Sequence, residues 1–61
     1  MPIYGATFDC WKSGRALVIK VTFRARNSEE AYDYTFKILT PALKKTFTAV
    51  RGTGVGLVSI I

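Results

Sequence analysis

Hydrophobic and polar positions alternate at the start of the chain. Tyr4, Ala6, Phe8 and Cys10 are separated by Gly5, Thr7 and Asp9, the period of two expected of a strand with one face on a core. Lys12-Ser13-Gly14 follows, and Gly14 can take the positive φ that a short hairpin turn requires. The next run alternates more cleanly. Leu17, Ile19, Val21, Phe23 and Ala25 share one face, while Val18, Lys20, Thr22, Arg24 and Arg26 share the other. A slip of one residue would bury three cations, so the register is strongly specified.

The pattern changes at Asn27. Asn27 is a helix-capping residue with Glu30 three positions on, and Glu29, Glu30 and Asp33 place negative charge in the first turn. These signals predict a helix with Ala31, Tyr34, Thr35 and Ile38 on its inner stripe. A strand reading competes, because Tyr32, Tyr34, Phe36 and Ile38 alternate strictly and are strand-prone. The cap and the acidic first turn decide for the helix.

Thr40-Pro41 is a second helix-start signal, so the first helix is expected to end or kink near Leu39, with a short turn over residues 42–45. Phe47 to Arg51 reads as a third strand. Gly52-Thr53-Gly54 reads as a turn, and Val55 to Ile61 as an optional closing strand. The expectation is one small domain, residues 1–61, of the α+β class. It has β-β-α-β order, with an antiparallel sheet of three to four strands and one helix packed on one face.

Composition narrows the function. The 61 residues are 49% hydrophobic, which is globular rather than disordered. At this length only about 60% of the unfolded chain's surface is buried on folding, so a second copy would help. One cysteine excludes an internal disulfide, and the lack of histidine argues against a zinc site. No apolar run approaches the ~20 residues that span a bilayer, and the first residues lack a secretion signal. The unpaired Cys10 suits a reducing compartment, so a cytoplasmic protein is expected. No catalytic residue, metal or cofactor is expected: acid–base work lacks a histidine, and Cys10 lies on an inward face without an activating neighbour. Gly52 to Gly56 resembles a phosphate-binding loop only superficially, since no helix or lysine follows it.

The charge is patterned. Residues 1–26 carry +4, residues 27–36 carry −3 and residues 37–61 carry +4, for a net +5. Lys20, Arg24 and Arg26 share the outward face of the second strand, Lys12 and Arg15 flank the turn, and Trp11 stands beside them. These six are the candidate partner-binding residues, because Arg and Trp often dominate interface energy. The same set could follow a phosphate backbone with Trp11 stacking, or simply keep a sheet face solvated. The tail from Gly56 has high β-propensity and no side-chain charge, so it must pair with something. Val55, Leu57, Val58 and Ile60 are the candidate oligomer contacts.

The stretch from Val21 to Ala31, Val-Thr-Phe-Arg-Ala-Arg-Asn-Ser-Glu-Glu-Ala, follows a short hairpin. In this it resembles the small bacteriophage-encoded inhibitors of bacterial RNA polymerase, which are similar in length and in strand–strand–helix–strand order. The resemblance covers roughly Phe8 to Leu39. It implies a non-enzymatic protein of the host cytoplasm that docks on a host nucleic-acid enzyme and modulates it. One departure stands out: that inhibitor is acidic, whereas this chain is +5, so no contact residues carry over. Direct, non-specific nucleic-acid binding and a structural role as a small homodimer or assembly component are the alternatives. No membrane partner is expected.

Overall fold

The structure is a computed structural model that describes every residue, Met1–Ile61. Strands β1 (Ile3–Lys12) and β2 (Arg15–Arg24) pair antiparallel from Ile3↔Arg24 to Lys12↔Arg15 without interruption. The two-residue loop between them holds Ser13 at φ 54° and Gly14 at φ 77°. Positive φ at both positions is the demand of a type I′ turn, whose twist matches that of the strands it joins.

The chain is then helical from Ser28 to Lys44, as α1 (Ser28–Tyr34), a wider π turn (Thr35–Leu39) and α2 (Thr40–Lys44). The predicted cap forms, with the Glu30 N–H donating to Asn27 Oδ1 at 2.9 Å. Glu30 reaches back one residue beyond the usual capping-box partner, and its Oε1 accepts from the Arg26 N–H at 3.3 Å. The helix does not end at Leu39. Pro41 has no N–H to offer Lys37, and its ring would strike that carbonyl in a regular helix. The widened turn absorbs the misfit. The Thr40 N–H bonds Thr35 O five residues back, and the Thr40 hydroxyl donates to the same oxygen at 2.9 Å.

Widening also aligns the buried row. Residues spaced by four drift about 40° per step around an α-helix, and the wider turn offsets that drift. Ala31 and Thr35 are fully buried, and Leu39 and Leu43 continue their line as partly buried residues. Tyr34 and Ile38, expected on the inner stripe, are instead 40% and 53% exposed. The buried Thr35 hydroxyl is satisfied by donating to Ala31 O at 2.8 Å.

Strand β3 (Ala49–Ser59) returns antiparallel beside β1, giving the sheet order β2-β1-β3. It begins two residues later than expected, and the glycine stretch does not turn. Gly14 is the only glycine with positive φ, so Gly52, Gly54 and Gly56 continue one strand. There is no fourth strand. The run is accommodated by register shifts against β1, between Thr7 and Phe8 and between Ile3 and Tyr4. The architecture is therefore α+β: three antiparallel strands in one open sheet, with a helix on one face.

The core lies between the helix and the even-numbered residues of β1. Ala6, Phe8 and Cys10 are almost fully buried beneath Leu39, Leu43 and Phe47, and Tyr4 packs with Ala25 and Ala31. Ile19, Val21 and Phe23 of β2 join them as predicted, but Leu17 lies beyond the helix and is 53% exposed.

Candidate binding face

Because the helix covers only one side, the odd-numbered residues of β1 and their partners form a bare sheet face. Direct cross-strand partners point the same way, so the register places Ile3, Gly5, Thr7, Asp9 and Trp11 in its middle row. Arg24, Thr22, Lys20, Val18 and Ala16 flank them on one side. On the other side stand Ser59, Gly56, Gly54, Arg51 and Ala49.

The predicted basic set divides into three groups. Lys20 and Arg24 stand on the bare face with Trp11. Arg24 also donates to Met1 O at 2.9 Å. Lys12 and Arg15 point to the helix side at the hairpin tip, around a hollow shared with Ser13, Leu17 and Phe47. Arg26 lies past the end of β2 beside the helix start, with Nε 3.8 Å from Glu30 Oε2. The helix C-terminus, with Lys44 and Lys45, descends into Phe47 at the hairpin end. There the Thr48 N–H and hydroxyl both donate to Trp11 O, at 2.8 and 2.7 Å.

Ion pairing sorts the cations further. Arg26 pairs with Glu30, Lys37 with Asp33, and Arg51 with Asp9. The other six of the nine, Lys12, Arg15, Lys20, Arg24, Lys44 and Lys45, have no carboxylate partner. Arg51 is a residue that the sequence reading missed. Its guanidinium bonds Asp9 at 3.1 Å and lies 5.9 Å from the Trp11 ring centre, within cation–π range. It holds the indole at one end of the bare face. Only the β1–β3 register, which sets Asp9 opposite Arg51, brings the three together.

The middle of the bare face is hollow. Gly5, Gly54 and Gly56 present no side chains there, and Thr7, Lys20, Thr22 and Val58 stand around an open depression of about 400 Å³. A Cβ added at Gly54 or Gly56 would meet nothing within 4 Å, whereas one at Gly5 would come 3.0 Å from Val58 Cγ2. Exposed backbone of this kind admits close approach from outside.

The four candidate oligomer residues are also dispersed. Val55 packs into the protein's own core, Leu57 lies exposed on the helix side beside Tyr4, Val58 leans over Gly5, and Ile60 lies past the end of β3. Beside β3 the helix presents Tyr32 and Phe36, stacked with ring centres 6.2 Å apart. Phe36 rests on Gly52, where a Cβ would come within 3.3 Å of its ring.

Cys10 is buried, and its thiol is pushed above the ordinary value of 9.0, first by burial and then by the adjacent Asp9 charge. A thiol held neutral is a poor nucleophile. No three His, Cys, Asp or Glu side chains converge as metal ligands, and no helix is long and apolar enough to cross a membrane. No protein-family model, curated protein or solved structure matches the chain.

Proposed function

We propose that this is a non-enzymatic binding protein that docks its bare sheet face on an acidic surface of a partner macromolecule. One observation carries the reading. Lys20, Arg24 and Trp11 lie along one sheet face that the fold leaves uncovered, Trp11 at the hairpin end, Lys20 midway and Arg24 at the far end, with no carboxylate paired to either cation. Such a face supplies long-range attraction through its cations and a rigid aromatic anchor in Trp11. The resemblance to small phage inhibitors makes a host nucleic-acid enzyme such as RNA polymerase the leading target. The opposite charge of this chain implies a different docking surface on it.

A second reading has its own support. Lys20 and Arg24 lie four residues apart on one strand face, about 13 Å, and could track the phosphates of a nucleic acid directly. One experiment separates the two. Tagged protein is used to capture partners from bacterial lysate with and without nuclease, beside a Lys20→Glu/Arg24→Glu variant. The docking reading expects one stoichiometric protein that survives nuclease and is lost from the variant, with the circular dichroism spectrum unchanged. Capture that vanishes with nuclease, and affinity for duplex DNA that falls with a log–log salt slope near −0.9 per phosphate, would establish direct nucleic-acid binding instead. Full capture by the folded double variant would remove the bare face from both readings.

A further inference from the structure

We infer that β3 is the seam of a homodimer, in which the free edge of β3 pairs with that of a second copy to make a continuous six-stranded sheet. Both outer strands, β2 and β3, leave one edge open. An open edge is a template for strand addition unless something blocks it. The two edges differ in charge. β2 carries Arg15, Lys20 and Arg24 and no acid, so a second β2 beside it would set cation against cation. From Gly52 onward β3 and its tail carry no charged side chain. For a molecule of net +5, β3 is the one edge where two copies meet without like-charge contact.

The apolar surface is distributed the same way. Of the eleven large hydrophobic residues left exposed, five belong to this side: Tyr32 and Phe36 of the helix, and Leu57, Ile60 and Ile61 of the strand and its tail. The total surface of the chain is 4326 Å². A standard interface removes about 800 Å² per partner, and aromatic side chains bury about 150–250 Å² each. Tyr32 and Phe36 are about half exposed, so together they can remove about 150–250 Å², and Leu57, Ile60, Ile61 and the paired backbone edges supply the rest.

The geometry of the helix fits as well. With strands about 4.8 Å apart, pairing β3 with its copy sets two helices lying over β1 and β3 at roughly 10–14 Å from each other. Directly packed helices stand about 8–10 Å apart, so a narrow gap remains. The Tyr32–Phe36 ledge projects from the helix flank on that side, and the two ledges would fill the gap. Between its register shifts, β3 is regular from Gly54 to Leu57, which gives the seam a straight segment.

The test is sedimentation equilibrium on the full chain and on single variants at exposed positions. Wild type is expected at twice 6.8 kDa in the micromolar range. Leu57→Lys and, separately, Tyr32→Lys should each weaken the dimer about a hundredfold, because each buries like charges across the seam. Val18→Lys, on the β2 side, should leave the mass unchanged. Circular dichroism identifies any variant that fails to fold, and Tyr32→Lys, remote from the sheet ladder, stands in if Leu57→Lys does so. A wild-type mass of 6.8 kDa at millimolar concentration would overturn the inference. So would a dimer that Val18→Lys dissociates and the two seam variants do not.

Discussion

The two faces of the sheet come from the same three strands and the same register, yet they are built to opposite rules. On the helix side, Ala6, Phe8 and Cys10 are at most 1% exposed and pack against Ile19, Val21, Leu39, Leu43 and Phe47. On the bare side, the same strand carries Ile3, Gly5, Thr7, Asp9 and Trp11, and the flanking strands add the cations Lys20, Arg24 and Arg51 among small, polar or absent side chains and the exposed Val18. One face thus carries the stability of a domain with only seven buried residues. The other is released from that duty, and its side chains are free to answer to a partner. The difference predicts that substitutions on the two faces act on different observables.

The largest effect belongs to the covered face. Phe8 is fully buried at the centre of the main core cluster, and Phe8→Ala should cost about 3–5 kcal/mol. A domain of this length has about 3–9 kcal/mol of stability in all, so urea denaturation should find the variant at or near unfolding. Val18→Thr, at a bare-face position 63% exposed, should stay within about 0.5 kcal/mol of wild type. Equal losses at the two positions would mean that the bare face is not bare in solution, as when a partner copy or the tail covers it.

A smaller effect on the covered face depends on pH. The folded thiol of Cys10 titrates above its ordinary value of 9.0, chiefly through burial. In the unfolded chain the thiol loses its proton near 9.0, while the folded protein keeps it, so the unfolded state binds fewer protons above that pH. Stability from this group is therefore fully present below about 9 and falls as pH rises beyond it, by at most about 1.4 kcal/mol per pH unit. The urea midpoint of wild type should drop between about pH 8.5 and 10.5 relative to that of Cys10→Ala, which cancels the other titrating groups. Parallel profiles would mean that Cys10 is solvated in the native state.

These faces were legible in the sequence because a strand writes its burial as strict alternation, and a cation beneath the helix is too costly to tolerate; Lys12 and Arg15 share the helix side only at the hairpin tip. The hairpin, its register and the Asn27 cap follow from that and from turn chemistry. The helix was harder to read, and its residues explain why. Tyr32, Tyr34, Phe36 and Ile38 alternate like a strand, yet two residues along a helix turn it by about 200°. Alternation therefore lines its two opposite flanks, Tyr32 and Phe36 toward β3 and Tyr34 toward Phe23 of β2, with ring centres 4.9 Å apart. Asp33 and Lys37 pair on the outer side at 3.7 Å, and the inner row carries only small or polar residues until Leu39. The Arg51–Asp9–Trp11 cluster was not legible, because it depends on a strand pairing 42 residues apart in sequence. The glycine stretch misled for a related reason. Glycine permits a turn without requiring one, and three glycines at every second position also fit an extended strand.

The smallest expected effect has the opposite sign and separates the faces most sharply. Gly54 lies on the bare face in extended backbone, and an added Cβ would meet no atom within 4 Å. Glycine there costs the fold conformational entropy without any contact in return. Gly54→Ala should therefore stabilise the domain by about 0.4–1 kcal/mol, mainly by restricting the unfolded chain. Gly52, one register shift away on the covered face, supports Phe36, where a Cβ would lie 3.3 Å from the ring. Gly52→Ala should gain nothing or lose stability as Phe36 is displaced. Thermal denaturation of the two single variants reads the contrast directly. If Gly54→Ala is destabilising, the hollow is already filled in solution and the bare face is an occupied one. If it stabilises, the fold does not need a glycine at that position and the hollow is open in solution.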